Sequence, residues 1–435
     1  SVLALLVAVF SVTTRSERTP VGKEAGEAVV EKIRTVAASG PVLIVMGPDM
    51  TQADGTLNAD GMAFDQAVRS GLEGTDLQVL ETVVGSPVET RRRLEELISS
   101  GQAVSAVATS GASVRWRIFR LIPGIGDEKN CFADATEWPT FLTVRNLSNV
   151  ASQTAVIAII AIGMTLVIIS GGIDLSVGSL VALGSVTMAI IVRQFGSGDE
   201  TGPLVVVLAV ACGVGICTVA GAFSGTVSTY FRIPAFIVTL SMMRLASGLA
   251  FRMSDGSSIS HMPSLLNEIG LGMTLGIPNP VIIMIALYAI AHVIMTRTVY
   301  GRYVYAVGGN QEAARLSGVP VRPVLISVYV ISGALAGLGG MILTGQLDTG
   351  DPKLGRMYEL EVITAVVVGG ASLMGGEGRI LGTLIGALII AVIKSGMNHM
   401  GIESFDQEIV LGAVLLATVL LDTIRHRRGS GSQKT

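Results

Sequence analysis

Residues 154–191 read TAVIAIIAIGMTLVIISGGIDLSVGSLVALGSVTMAII and contain one charged residue, Asp174. As a single helix this stretch would measure about 57 Å at 1.5 Å per residue, nearly twice the roughly 30 Å thickness of a bilayer core. The stretch therefore predicts two membrane-spanning helices. The pair Gly171-Gly172 is the natural break between them, because glycine permits backbone conformations that a helix does not use.

The composition of the whole chain agrees with a membrane protein. Of its 435 residues, 50% are hydrophobic and 14% are charged, whereas soluble domains carry roughly 25% charge. The opening apolar run, residues 1–12, is shorter than the about 20 residues that a span needs, and we interpret it as part of a first transmembrane helix. Nine further spans are predicted at about 151–170, 175–193, 203–227, 233–252, 278–296, 323–345, 358–376, 379–398 and 407–424.

Arginines in short loops predict the orientation of these spans. Arg297, Arg302, Arg315 and Arg322 share one loop, and three more arginines, at positions 425, 427 and 428, follow the last span. Cytoplasmic loops carry an excess of Lys and Arg, so both segments are expected on the inner side. Strict alternation then gives about ten spans, with residues 13–137 outside the cytoplasm, 138–428 as the transmembrane domain and 429–435 as a cytoplasmic tail.

Residues 13–137 are polar and predict a small α/β domain. Helices are expected at 24–38, 60–72 and 87–100, and strands at 41–46, 77–84 and 103–108. Strands separated by helices of this length favour a parallel sheet. The fold class is thus a polytopic α-helical membrane protein with a small α/β external domain inserted after the first span.

Asp174 is a candidate functional residue, because a carboxylate within apolar sequence usually faces a polar cavity or a partner. Two interpretations stay open: it caps the helix that begins at Leu175, or it contacts a solute at a broken helix. The candidates for a solute path are polar residues near the first two spans of the domain: Gln153, Thr154, Asp174, Ser176 and Ser179. Arg244 and Lys394 also fall within spans, and we expect both to snorkel toward the headgroups.

A short helix is predicted in the arginine-rich loop. Asn310 is a plausible N-cap, Gln311 to Ser317 suits two turns, and Gly318 would end the helix. From these residues alone, a solvated loop helix and a helix that docks onto another protein both remain open. Small-residue pairs at 221/225, 333/337 and 382/386 favour close helix packing, within or between subunits.

Five stretches in chain order resemble the permeases of monosaccharide (ribose-type) ABC importers. They are 141–146 (FLTVRN), 171–179 (GGIDLSVGS), 234–240 (PAFIVTL) with Arg244 after it, the run from Gly309 to Gly318, and 358–383 with its VVGGASLMGGEG core. The resemblance implies a multi-pass subunit of the bacterial inner membrane that imports monosaccharides by alternating access and is not itself an enzyme. It implies a dimer in the lipid bilayer, a cytoplasmic ABC ATPase that binds ATP and Mg, and a periplasmic sugar-binding protein.

In that family the loop helix couples the permease to the ATPase. The resemblance assigns this role here to seven residues: Gly309, Asn310, Glu312, Ala313, Ala314, Arg315 and Gly318. The chain itself lacks the G-x-x-x-x-G-K-[S/T] phosphate loop, since its one Gly-Lys pair, Gly22-Lys23, is followed by Glu24. No cofactor or metal site is expected in this chain, and no basic tract suits nucleic acid.

Several alternatives remain. The solute could be a nucleoside, a signalling sugar derivative or a branched-chain amino acid, and a membrane sensor is a further possibility from a different class. The domain at 13–137 resembles part of one lobe of periplasmic sugar-binding proteins. A docking role or a receptor remnant is favoured there over sugar binding, and an unrelated fold is the remaining alternative.

Overall fold

The computed structural model describes residues 2–52, 56–122, 125–134, 136–139, 141–196, 198 and 201–431. The chain divides into two compact units, one formed by residues 15–139 and the other by 1–14 together with 140–435. The first helix, α1 (Val2–Thr13), belongs to the second of these units and is uniformly apolar.

The unit at 15–139 alternates strands and helices, as the sequence predicts. Its elements are β1 (Arg15–Arg18), α2 (Gly22–Val36), β2 (Gly40–Met46), α3 (Ala59–Leu72), β3 (Leu77–Val84), α4 (Pro87–Ser99), β4 (Ala106–Ser110), α5 (Ile118–Leu121), β5 (Asn130–Cys131) and β6 (Thr136–Pro139). Four strands form a parallel sheet in the order β3-β2-β4-β5, while β1 and β6 form an antiparallel pair. The strand predicted at 103–108 lies slightly later, at 106–110.

The core of this unit lies on both faces of its sheet. Strand β2 is buried from Val42 to Met46, because helices cover it from both sides. Ile33 and Phe64 fill one face, and Leu94 and Phe119 fill the other. A central parallel strand covered in this way needs a continuous apolar run, which residues 41–46 supply.

The second unit is a bundle of long apolar helices. Its elements after residue 140 are α6 (Val144–Ile169), α7 (Val177–Phe195), α8 (Pro203–Phe231), α9 (Ala235–Met253), β7 (Ile259–Ser260), α10 (Ser264–Leu271), β8 (Met273–Thr274), β9 (Ile277–Pro278), α11 (Asn279–Arg297), α12 (Val299–Gly309), α13 (Gln311–Leu316), α14 (Val321–Leu347), β10 (Thr349–Gly350), α15 (Tyr358–Val368), α16 (Ile380–His399) and α17 (Ser404–Gly431). Seven of these helices, α6, α7, α8, α9, α11, α14 and α16, are long and apolar enough to cross a membrane. The multi-pass helical class is confirmed, while the count of ten spans stays a prediction.

The predicted span at 358–376 is helical only in its first half. Helix α15 ends at Val368, because the glycine-rich segment that follows turns, with positive φ at Gly370, Gly375, Gly376 and Gly378. Eleven helical residues reach about 16 Å, roughly half the thickness of a bilayer core.

Glycine pairs bring helices α8 and α14 into backbone contact. A Cβ added at Gly221 would overlap the carbonyl oxygen of Tyr329, and one at Gly333 would overlap that of Cys217. The pair at 382/386 makes the same kind of contact between α16 and α15, at Gly369 and Ala365. The small-residue pairs therefore pack helices within this subunit, as close approach in lipid requires.

Candidate functional site

Helix α13 is a short, capped and largely exposed helix. The Oδ1 atom of Asn310 accepts a hydrogen bond from the Ala313 N–H at 2.9 Å. At the other end Gly318 has φ +81°, and the N–H groups of residues 318 and 319 return to the carbonyls of Arg315 and Ala314. This pattern closes a helix at a left-handed residue and favours glycine there. The predicted helix and both of its ends are confirmed.

Most of α13 faces outward. Ala314 is its one buried residue, whereas Glu312, Ala313 and Arg315 are exposed, and Glu312 forms an ion pair with Arg315. Leu316, whose side chain is 79% exposed on this helix, was not among the predicted residues. Its exposure could have been predicted from helical geometry. Residues two positions apart lie on opposite sides of a helix, so Leu316 faces outward when Ala314 faces inward.

A junction of glycines holds the amino-terminal end of α13. We use the name glycine junction for Gly171, Gly308, Gly309, Gly375 and Gly376. The Gly376 N–H donates to the carbonyl of Ile169, at the end of α6, over 2.8 Å. A Cβ at Gly376 would lie 2.9 Å from the Cα of Gly309, and one at Gly375 would lie 3.0 Å from the Cα of Gly171. The backbones of three segments are therefore in contact: the end of α6, the end of α12 and the loop before α16.

A cleft of about 960 Å³ lies between α13 and the break after α6. Its walls include Ser170 and Gly172 from the break, Gln311 and Glu312 from α13, and three arginines, Arg232, Arg315 and Arg322. Arg322 also stacks over the ring of Tyr230, with 5.1 Å between the guanidinium carbon and the ring centroid. The cleft therefore lies between two predicted features, the break at Gly171-Gly172 and the loop helix α13.

Asp174 is held by the protein rather than open to a cavity. Its side chain is 1% exposed, and Oδ1 accepts from the N–H and the hydroxyl of Ser176 at 3.0 and 2.6 Å. Oδ2 accepts from the Ser332 hydroxyl at 2.8 Å, which ties the break to α14. Helix α7 begins at Val177 instead of Leu175, with Ser176 as its N-cap. Asp174 therefore does not cap α7: it closes a turn onto Ser176 and ties the break to α14, a structural contact that the sequence did not indicate.

The other predicted path residues lie elsewhere. Ser179 is half-buried and donates to the carbonyl of Ser176. Gln153 and Thr154 line a separate cavity of about 150 Å³ between α6, α14, α15 and α16. Fifteen helical residues, about 22 Å, separate Thr154 from the end of α6, so the five candidates do not form one site.

The same cavity contains an ion pair. Lys394 Nζ lies 2.9 Å from Glu361 Oε1, and the two side chains are 36% and 16% exposed. Lys394 thus has an acidic partner on α15, and the expectation that it snorkels toward the headgroups stays a prediction. The sequence did not show this pair, since its members are 33 residues apart.

Residues 146–419 match the family described as "Branched-chain amino acid transport system / permease component". The chain is 44% identical over 288 residues to the ribose import permease protein RbsC of Escherichia coli K12, covering 65% of this chain and 87% of that protein. It is 36% identical over 290 residues to the fructose import permease protein FrcC of Rhizobium meliloti (65% and 79%). It is 32% identical over 389 residues to the xylose transport system permease protein XylH of Escherichia coli K12 (74% and 97%).

No solved structure matches the chain. The family match covers most of the helical unit and includes α13, the glycine junction and the break that holds Asp174. Since that match spans more than half of the chain, the protein belongs to this permease family: it is a multi-pass inner-membrane permease subunit of an ABC importer, a transporter rather than an enzyme.

Proposed function

We propose that this subunit imports monosaccharides by alternating access, with ATP hydrolysed by a separate ATPase. The relatives named for ribose, fructose and xylose support a sugar as the solute. ATP and Mg would bind to the ATPase, while this chain provides the path and the moving helices. A second copy of this subunit and an external sugar-binding protein complete the proposed assembly.

Helix α13 is the proposed contact with the ATPase. Glu312, Ala313, Arg315 and Leu316 are exposed on it and form the surface that would meet the ATPase. Gly309 directly precedes it, Asn310 and Gly318 cap its two ends, and the buried Ala314 packs its inner side. This capped, outward-facing helix is the observation that carries the proposal.

The connection from α13 to the rest of the bundle supports transmission of movement. Helix α14 begins at Val321, four residues after Ser317, and Ser332 on α14 holds Asp174 in the break between α6 and α7. A displacement of α13 can thus reach the break between α6 and α7 through the chain into α14 and the hydrogen bond from Ser332 to Asp174. Broken helices are where many transporters bind their solutes.

The experiment places bulk or charge on the exposed face of α13. Ala313→Trp and Leu316→Asp should each lower ATP-dependent uptake of radiolabelled monosaccharides at least tenfold, while the protein stays in the membrane at its normal level. The matched control is Ser257→Trp, an exposed position in the segment 253–277 predicted to lie outside. Undiminished uptake by both α13 variants would count against the coupling role.

A related polar solute is the second candidate, because the family description itself names branched-chain amino acids. A panel of labelled pentoses, hexoses, nucleosides and branched-chain amino acids separates the two. Uptake of leucine in preference to every sugar would overturn the monosaccharide assignment without affecting the coupling role of α13.

A further inference from the structure

Arg244 lies at the centre of a membrane-spanning helix. It stands nine residues from Ala235 and nine from Met253, the two ends of α9. At 1.5 Å per residue, about 13 Å of helix lies on either side of it. Arginines that reach the headgroups by snorkelling do so from positions near helix ends, which Arg244 does not occupy.

The side chain points away from the helices of its own subunit. The buried positions of α9 are Val238, Thr239, Met242, Ala246 and Ala250, which mark one face of the helix. Arg244 falls on the opposite face, whose exposed residues also include Ile237, Leu240, Ser241, Gly248 and Phe251.

Arg244 has no partner in the described part of its chain, with neither a salt bridge nor a side-chain hydrogen bond. Two other charged residues in the bundle differ from it in this respect. Asp174 accepts three hydrogen bonds from Ser176 and Ser332, and Lys394 pairs with Glu361. A guanidinium facing hydrocarbon at mid-depth is costly, so the charged end of Arg244 must meet water or polar groups.

The broken helix contacts α9 about 7.5 Å from Arg244 along the helix axis. The Thr239 hydroxyl lies 3.0 Å from the carbonyl oxygen of Ala235 on its own helix and 3.1 Å from that of Ile173, in the break between α6 and α7, and it can share its hydrogen between the two. Arg244 lies little more than one turn further along α9, and Ser241 and Gly248 leave space beside it because both are small.

We propose that Arg244 lines the water-filled solute path and donates hydrogen bonds to oxygen atoms of the solute. This inference rests on the proposed transport function and names a specificity-determining residue for it. A guanidinium offers five N–H donors in a planar fork and no acceptor. Such a group suits solutes with adjacent oxygen acceptors, such as the hydroxyls of a sugar, and repels cations.

Cysteine accessibility in the intact complex tests the path. Arg244→Cys is made together with Cys212→Ser, which removes the exposed native thiol while Cys131 and Cys217 stay buried. The matched control is Val219→Cys, which is exposed near the middle of α8. A charged, water-soluble thiosulfonate reagent should modify position 244 at least tenfold faster than position 219, and a transported sugar should slow that reaction. Equal rates at the two positions, or no effect of sugar on an accessible thiol, would overturn the proposal.

Uptake measurements provide a second readout. Arg244→Lys should keep transport with a raised KM for the sugar, whereas Arg244→Gln should lose at least tenfold in uptake. Wild-type uptake at both variants would contradict a solute contact. If the unmodified protein imports none of the sugars, the proposed function fails, while the reagent still reports independently whether Arg244 faces water.

Discussion

Gly178 shows how one residue fixes the start of α7. A Cβ at this position would overlap the carbonyl oxygen of Gly355 and the carboxylate of Glu359, because the loop before α15 packs directly on the helix. Backbone cannot move aside as a flexible side chain can. We therefore expect Gly178→Ala to destabilise the protein by about 1–3 kcal/mol, the usual cost of overpacking, or more.

The measurement is the midpoint of thermal unfolding in detergent. Gly215→Ala is the matched control, since a Cβ there meets nothing within 4 Å and the residue lies within helix α8. An unchanged midpoint for Gly178→Ala would show that the loop before α15 is free to move away.

At the scale of elements, the two caps of α13 should determine how well the helix forms. Asn310→Ala removes the N-cap hydrogen bond, and Gly318→Ala places a side chain at φ +81°. Each change costs about 1 kcal/mol. Because a helix of six residues has little other stabilisation, we expect several-fold lower ATP-dependent uptake with normal membrane levels.

Gly309→Ala serves as the comparison for both cap variants. Gly309 ends α12 without a positive φ, and its own Cβ would meet nothing within 4 Å. Uptake should stay close to that of the unmodified protein. A loss equal to that of Gly318→Ala would indicate that the glycine junction, rather than the cap, limits function.

The elements also show what sequence can and cannot predict. Helix α13 was predictable with both ends, because Asn310 and Gly318 act on their immediate neighbours. The early end of α15 at Val368 was not predictable, because the glycines at 369 and 370 suit a tightly packed span as well as a turn. The tie between Asp174 and Ser332 joins residues 158 positions apart, and no local pattern reports such a contact. The sequence places Arg244 within a predicted span. The outward direction of its side chain follows only from the packing of α9 against other helices.

For the molecule as a whole, the division into two units predicts that residues 15–139 fold by themselves. This unit has its own parallel sheet with a core on each face. The expressed segment should therefore unfold in one cooperative transition, as small single domains usually do. Loss of helical and strand signal without a transition on heating would contradict this expectation.

The pH dependence of that unit has a defined sign. Arg93 donates two hydrogen bonds to Glu81, at 2.7 and 2.9 Å, and so lowers the pKa of Glu81. The pair therefore stabilises the unit above the ordinary glutamate pKa of about 4.3, and this contribution is lost as the pH falls through the lowered value. Both side chains are partly exposed, so water screens the pair and its contribution is small.

Denaturation of the isolated unit at pH 7 and at pH 3 checks this sign. Glu81→Gln should lower the free energy of unfolding at pH 7 and have less effect at pH 3. Glu95→Gln, which removes an exposed pair with Arg91 on the same helix, is the control and should cost less at pH 7. An equal cost of Glu81→Gln at both pH values would exclude the ionised pair as the cause.

The glycine junction has a mechanical consequence for α13. The amino-terminal end of this helix is fixed against the end of α6 and the loop before α16 by contacts between backbones, which lack flexible side chains that could yield. Its other end carries the exposed Leu316 and continues into α14. We therefore expect a force on Leu316 to rotate α13 about its fixed amino-terminal end and so to move the start of α14, while α12 stays in place.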